Sequence, residues 1–324
     1  MKAPARKTNS VSVVIPVYNE FDNIRPLYEG LVKAFLASPF TYEIIFVNDG
    51  SEDDTQDVLR QLADIDSHVK VIKFRRNYGQ TAAISAGFTL ASGEVIVTMD
   101  ADLQNDPSDI PCLLDKIEQG YDVVSGWRQA RRDTLLTRRI PSIVANRMIS
   151  WVGGLSLHDY GCTLKAYRAE YAKKVRLYGE MHRFIPLYAK WMGATIVEIP
   201  VKHHPRIHGV SKYGLIRIFK VMLDLVTIKF LGDYATKPIY FFGGAGIVFI
   251  GVGVIGAVVT LAQKIWMGAW AHKNPLLLVS VFFELIGFQC ILMGLLAEII
   301  VRIYHETQSK PLYWIDEILH RDKS

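Results

Sequence analysis

The sequence predicts an α/β domain built on a mostly parallel sheet, followed by an interfacial amphipathic segment and two membrane-spanning helices. Three observations carry this expectation. The first half alternates short β-branched runs with helical patterns, and the second half holds two long apolar stretches. The hydrophobic share, 50% of 324 residues with a mean hydropathy of +0.17, is high for a chain of this length kept in water.

Residues 12–17, 43–47, 69–74, 95–99 and 122–125 read as strands, being short runs rich in Val, Ile and Phe, and residues 24–36, 55–63 and 80–90 read as helices between them. Strands spaced by helices of this length pair in parallel, with helices on both faces and ligands at the carboxyl ends. Further on, residues 137–152 read as a basic amphipathic helix, Asp159-Tyr-Gly-Cys162 as a turn before residues 163–168, residues 194–201 as a strand, and residues 203–213 as a polar loop. Residues 213–231 alternate apolar positions with Arg217, Lys220 and Asp224, the pattern of a helix lying in a membrane interface. Residues 238–262 and 276–301 each exceed the roughly 20 residues a helix needs to cross the hydrocarbon core. Glu298 lies near the end of the second span and reaches the interface, whereas Glu284 is deeper and wants a partner helix or neighbouring subunit. The expected divisions are residues 1–212 (catalytic domain), 213–237 (juxtamembrane helix), 238–301 (transmembrane hairpin) and 302–324 (tail).

The first ten residues are polar and basic and lack a cleavable signal pattern, so the catalytic part is expected on the cytoplasmic face of the plasma membrane. Lys229, Lys237, Arg302 and Lys310 flank the outer ends of the spans, against Lys264 and Lys273 in the connection, which favours both termini in the cytoplasm. Cys112, Cys162 and Cys290 are scattered and lack metal spacing, as reduced thiols would be. The net charge is only +5, yet Arg128, Arg131, Arg132, Arg138 and Arg139 form one basic group and Arg206, Lys212, Arg217 and Lys220 another. Neither is interleaved with a nucleic-acid signature, and both precede amphipathic segments, so the lipid bilayer rather than nucleic acid is the expected partner.

The unusual residues collect at the carboxyl ends of the expected strands: Pro16-Val-Tyr-Asn-Glu20, Asn48-Asp-Gly-Ser51 and Asp100-Ala-Asp-Leu-Gln104. Side chains two apart on an extended segment point the same way, so Asp100, Asp102 and Gln104 form a half-cage of oxygens. Hard cations such as Mg²⁺ or Mn²⁺ accept such ligands and leave positions open for a diphosphate. No G-x-G-x-x-G follows the first strand and no G-x-x-x-x-G-K-[ST] occurs anywhere, which argues against a dinucleotide oxidoreductase and a P-loop NTPase. His203, His204 and His208 share one polar loop without complementary Cys or carboxylate spacing, so no zinc site is expected there.

With Val13-Val-Ile-Pro-Val-Tyr-Asn-Glu20, Val47-Asn-Asp-Gly-Ser51, Arg76-Asn-Tyr-Gly-Gln80, Asp100-Ala-Asp-Leu-Gln104, Asp159-Tyr-Gly-Cys162 and Gly209-Val-Ser-Lys-Tyr213 in hand, the chain resembles the family 2 glycosyltransferases of the GT-A fold. Within them it resembles the polyprenyl-phosphate sugar transferases, most of all the undecaprenyl-phosphate formamido-arabinose type, with dolichol-phosphate mannose synthases more distant. The resemblance implies inverting transfer of a sugar from a nucleotide-diphosphate sugar, UDP-linked by expectation, to a polyprenyl phosphate such as undecaprenyl phosphate. It implies that Pro16, Tyr18, Glu20 and Asp49 hold the nucleobase and ribose, and that Asp100, Asp102 and Gln104 bind Mg²⁺ or Mn²⁺. Arg206 and Lys212 would then stabilise the charge developing on the departing diphosphate. Arg128, Arg131 and Arg138, with Ser142 one turn after Arg138, are candidates for the acceptor phosphate, whose oxygens a guanidinium fork matches. Asp159 and Asp102 are the catalytic candidates, Asp159 either as a base or as a group that orients the sugar. By the same resemblance a homo-oligomer, a tetramer, is expected.

Three other readings compete. One is transfer from GDP-mannose, as in the more distant mannose synthases. A processive polysaccharide synthase needs further membrane helices and a Q-x-x-R-W motif, neither of which is present. A non-catalytic scaffold predicts damage to the acidic triad or the basic loop, yet Asp100, Asp102, Gln104, Arg206 and Lys212 are all intact.

Overall fold

The computed structural model describes residues 7–36, 38–129, 153–175, 181–205, 237–268 and 274–308, with isolated positions at 147, 149, 150, 177, 227, 230, 233, 234 and 270. It divides into two compact units, Met1–Leu225 and Val226–Ser324.

In the first unit the strands are β1 (Ser10–Val17), β2 (Thr41–Asn48), β3 (Val69–Lys73), β4 (Val95–Thr98), β5 (Val123–Trp127), β6 (Lys165–Arg168) and β7 (Ile196–Pro200). Between them run α1 (Phe21–Leu36), α2 (Thr55–Ile65), α3 (Gln80–Leu90), α4 (Ile110–Glu118), α5 (Ala169–Ala172) and α6 (Ile185–Trp191). The strands form one sheet in the order β3-β2-β1-β4-β6-β5-β7. All neighbours are parallel except across β6, which runs antiparallel to both β4 and β5. The sequence prediction of a mostly parallel sheet is met; the reversed strand inserted between β4 and β5 is an addition to it.

The Val- and Ile-rich strands are buried on both faces, as covered parallel strands must be. Val13, Ile15, Ile44, Phe46 and Val97 face one layer of helices with Ile24, Leu27 and Leu31, while Val14, Ile45, Val47 and Ile96 face the other with Ala83, Ile84 and Phe88. A buried polar knot crosses the sheet's amino edge. Glu43 takes hydrogen bonds from the Ser12 hydroxyl, from Ser92 N (2.6 Å) and Oγ (2.8 Å), and from Lys70 Nζ (2.6 Å). Burial opposes ionisation of Glu43, but these donors outweigh it and hold the carboxyl down at about 2. A depressed carboxyl stabilises the fold above its unfolded value and loses that contribution as the pH falls through the folded one. Glu43→Gln should therefore cost about 3 kcal/mol at pH 7. The deficit relative to wild type should shrink as the pH falls from the ordinary glutamate range toward 2, read as the urea midpoint of the detergent-solubilised protein. An unchanged midpoint at pH 7 would refute it.

The second unit contains α7 (Ile239–Met267) and α8 (Pro275–Gln308), both long and apolar enough to cross a membrane. They pair through small residues. A Cβ on Gly246 would lie 2.6 Å from the Gly287 carbonyl oxygen, and the reverse holds for Gly287, so the two backbones touch where only glycine fits. The Cγ of Glu284 packs against Gly253 of the facing helix. Gly268 ends α7 in the left-handed conformation (φ 64°), and Asn274 accepts from Leu276 N (3.0 Å) at the start of α8, where Pro275 fits the first turn. Lys264, expected in the connection, lies in the last turn of α7. Helix α8 continues past residue 301 to Gln308, and residues 309–324 lie outside the described residues. The expected helices at 137–152 and 213–231 also lie almost entirely outside them.

Candidate active site

The strand order reverses between β1 and β4, so their carboxyl ends flank the crevice where α/β sheets hold ligands. The loop after β1 is fastened to the loop after β2. Asn19, itself in the left-handed region (φ 54°), donates its N–H to Ser51 Oγ (3.0 Å) and accepts from Glu52 N (2.9 Å) through Oδ1. Glu20 N donates to Thr55 Oγ1 (3.1 Å), and the Glu20 carboxylate accepts from Asn23 Nδ2 (2.5 Å). Pro16, Tyr18 and Glu20 are half-buried along this edge. Gly50 is required here: its φ is +71°, and a Cβ would lie 2.5 Å from the Arg76 carbonyl carbon.

Asp49, buried at the end of β2, accepts from Tyr78 N (2.7 Å) with one oxygen and from Gly79 N (2.8 Å) with the other. It thus ties the β2 end to the amino end of α3, a scaffold task the sequence reading did not assign. The same helix start supplies Gln80, whose Nε2 donates to Asp100 Oδ1 (2.7 Å).

Asp100 and Asp102 follow β4, and Leu103 adopts a left-handed φ of 60° that turns the chain so that Gln104 N reaches Asp102 Oδ1 (3.2 Å). Burial first, then the charge of Asp102, push the Asp100 carboxyl above its ordinary value; a hydrogen bond with Thr163 and the charges of Arg128 and Lys165 pull the other way. Two carboxylates that repel at the open end of a strand suit a divalent cation, which would relieve the repulsion. Among the described residues no group of three or more His, Cys, Asp or Glu side chains converges. Such a donor set, two aspartates with Gln104 beside them, fits a hard cation that takes its remaining oxygens from a diphosphate and water.

The other half of the site depends on β6. Because β6 is antiparallel, the residues leading into it stand at the edge where β4 and β5 end. Asp159 there grips Arg128, which follows β5, in a two-pronged pair: Nε to Oδ2 at 2.7 Å and Nη2 to Oδ1 at 2.9 Å. Only 13% of the Arg128 side chain and 4% of the Asp159 side chain are exposed, so the pair is shielded from water and salt. Burial opposes the charge on Arg128, but the bond to Asp159 and its charge outweigh that and hold the guanidinium well above its usual value. Sequence reasoning placed Asp159 with catalysis and Arg128 with the acceptor, as separate roles. The structure joins them: both carboxylate oxygens of Asp159 contact the Arg128 guanidinium, and Oδ1 also accepts from Gly161 N (3.1 Å).

Glu198 of β7 supports this pair from below. Its carboxylate accepts from Asp159 N (2.9 Å) and from both N and Nδ1 of His158 (2.9 and 2.8 Å), and His158 stacks on Trp127 with ring centroids 4.3 Å apart. The polar loop after β7 is pinned to the acidic loop by a bridge between Asn105 and His203, by His204 N to Gln104 O (2.9 Å), and by Lys202 N to Asp109 Oδ2 (2.6 Å). This brings residues 203–205 beside the acidic motif. Arg131, Arg138, Ser142, Arg206, Lys212 and His208 lie outside the described residues.

Sequence reasoning missed Gln80, Thr163, Lys165 and Glu198. The Arg-Asn-Tyr-Gly-Gln motif held Gln80 without a role, and Lys165 signals itself as a lysine in an otherwise apolar strand segment, Leu164-Lys-Ala-Tyr167. Nothing in the local pattern around Glu198 separates it from a solvent-facing strand residue.

Comparison with known proteins adds the wider context. The model of the family described as Glycosyl transferase family 2 matches residues 12–176. Dodecaprenyl-phosphate galacturonate synthase of Rhizobium johnstonii is 40% identical over 328 residues, covering 97% of this chain and 96% of that one. Undecaprenyl-phosphate 4-deoxy-4-formamido-L-arabinose transferase of Edwardsiella ictaluri is 40% identical over 315 residues, covering 97% and 95%. Among solved structures, glucosyl-3-phosphoglycerate synthase of Mycobacterium tuberculosis, in complex with Mn²⁺, UDP and phosphoglyceric acid, matches with a TM-score of 0.54 at 16% identity, covering 69% of this chain and 78% of that one. At that identity the likeness bears on the fold, the Rossmann-like GT-A arrangement of the sheet.

Proposed function

This chain belongs to glycosyltransferase family 2, and from that membership we propose that it transfers a sugar from a nucleotide-diphosphate sugar, UDP-linked, to the phosphate of a polyprenyl phosphate such as undecaprenyl phosphate. The supporting observation is identity of 40% to two kinds of polyprenyl-phosphate transferase over 97% of the chain, which takes in the sheet domain and both apolar helices.

In this reading an acceptor phosphate oxygen forms a bond to the anomeric carbon as the bond from that carbon to the diphosphate breaks on the opposite face, inverting its configuration. The acceptor oxygen is already ionised near neutral pH, so no strong base is needed and positioning supplies most of the acceleration. Pro16, Tyr18, Glu20 and Asp49 wall the nucleotide side. Asp100, Asp102 and Gln104 would hold Mg²⁺ or Mn²⁺, which offsets charge on the diphosphate when bound. Arg206 and Lys212 neutralise the leaving group. Arg128, aimed by Asp159, joins Arg131, Arg138 and Ser142 in gripping the acceptor phosphate. The sheet domain, residues 1–212, works at the cytoplasmic face of the plasma membrane, with the juxtamembrane segment 213–237 and the hairpin 238–301 holding it near the lipid acceptor and 302–324 as a cytoplasmic tail. The protein acts as a homo-oligomer.

The test is a panel of radiolabelled nucleotide sugars incubated with membranes containing undecaprenyl phosphate, scored for metal-dependent label that extracts into organic solvent. At least one donor should give such a product. If no sugar does, the transferase reading fails.

A further inference from the structure

Asp100 and Asp159, both at the carboxyl edge of the sheet, are held in opposite ways. Asp159 is paired with the Arg128 guanidinium, which offsets its charge. Asp100 takes its hydrogen bonds from neutral groups, the Gln80 amide, whose Nε2 donates to Oδ1 (2.7 Å), and the Thr163 hydroxyl. Arg128 and Lys165 reach Asp100 through their charge and not through a hydrogen bond.

Each of the two donors is itself fixed. A threonine hydroxyl has one proton to give, and Asn105 Nδ2 donates to Thr163 Oγ1 (2.9 Å), which leaves the Thr163 O–H for Asp100. The Thr163 carbonyl accepts from Thr98 Oγ1 (2.7 Å) at the end of β4, so its backbone is tied to the strand that leads into the acidic motif. Gln80 opens α3, and the turn before it is held by Asp49, which accepts from Tyr78 N and Gly79 N. The donors therefore reach Asp100 from two different elements, both anchored to the sheet.

A carboxylate that turns freely loses that freedom when a cation binds, whereas one already held has less to lose. Neutral donors suit this task. A guanidinium in either place would hold Asp100 as firmly, but it would offset the carboxylate's charge and repel an incoming cation.

Resting on the proposed function above, in which Asp100 helps to hold Mg²⁺ or Mn²⁺, we propose that Gln80 and Thr163 are positioning residues of the cation site, setting the Asp100 carboxylate in the orientation it presents to the ion, with Asn105 directing the Thr163 proton. Full-length protein in nanodiscs is titrated with Mn²⁺ in the presence of UDP, and the free ion is read by electron paramagnetic resonance, a measurement that needs no turnover. Gln80→Met and Thr163→Val nearly keep the side-chain volume and lose the donor. Each should weaken Mn²⁺ binding about 10- to 100-fold, the usual effect of removing an outer partner of a metal ligand. Thr163→Ser, which keeps the hydroxyl, should bind Mn²⁺ as wild type does. In turnover the two donor-less variants should need correspondingly more Mn²⁺ for half-maximal rate, with the lipid KM at saturating Mn²⁺ unchanged. A merely structural role would lower metal-free stability and leave the Mn²⁺ affinity of the folded protein as it was. Wild-type affinity in either variant, once its metal-free thermal transition shows it folded, overturns the assignment, as does a Thr163→Ser protein that binds as weakly as Thr163→Val. Valine at 163 strands the buried Asn105 amide, so Gln80→Met decides alone if Thr163→Val does not fold. Wild type that binds no Mn²⁺ with UDP present sinks the cation site itself and the positioning role with it, an outcome distinct from equal binding by wild type and variants.

Discussion

Asp159→Asn should lower kcat/KM by about 100-fold or more, and the loss should not add to that of Arg128→Gln. The buried pair acts as one unit, and removing one partner of such a pair leaves an uncompensated charge that costs about 3–5 kcal/mol. Asparagine keeps the shape of Asp159 but presents an amide N–H to a guanidinium that needs two acceptors, so Arg128 loses its aim. If Asp159 only positions Arg128, the double variant is no worse than the worse single one. The loss should fall mainly on the KM for the lipid phosphate, and the pH profile of kcat should keep its shape. Additive losses, or an acid limb of the pH profile that vanishes in Asp159→Asn, would restore Asp159 as a proton acceptor. Near-normal turnover in Asp159→Asn would remove both roles.

Asp100→Asn should have the larger effect on activity and the opposite effect on stability. Loss of a carboxylate from the site proposed to hold a divalent cation on two of them should reduce turnover by about 1000-fold or more, the scale expected for deleting charge stabilisation at a diphosphate. A chelator should abolish wild-type activity, and Mg²⁺ or Mn²⁺ should restore it. The metal-free variant should nonetheless be more stable than metal-free wild type, by an amount on the order of 1 kcal/mol. The sign follows from the raised carboxyl: burial and the charge of Asp102 disfavour its ionised form, so above its unfolded value the group destabilises the fold, and asparagine removes that penalty while keeping an acceptor for Gln80. Protons compete with the cation for such a carboxylate, so more metal should be needed for half-maximal activity as the pH is lowered. Thermal unfolding with and without metal, beside turnover, checks all three points; a destabilised Asp100→Asn would contradict the repulsion.

The donor side of the site was legible in the sequence because its parts are local. Asp100, Asp102 and Gln104 fall within five residues of one another, and the strand before them is an apolar run that parallel burial demands; the turn at Leu103 that sets their arrangement was not part of that pattern. The two apolar spans were legible for a similar reason, since length and composition alone decide whether a helix can cross a bilayer.

The acceptor side could not be read in this way. Arg128, Asp159 and Glu198 are 31 and 39 residues apart in turn, and no periodicity links positions so distant. What joins them is the reversal of β6, which the short segment from Lys165 to Arg168 does not announce, because an apolar run of four residues can pair in either direction and the route of the chain around it decides which. The sequence by itself therefore determined the kind of sheet, the acidic motif at its carboxyl edge and the anchoring helices, all consequences of local pattern. Only the tertiary structure decided that Asp159 would turn both oxygens to Arg128, because that depends on an antiparallel strand delivering its leading residues to the edge where its neighbours end.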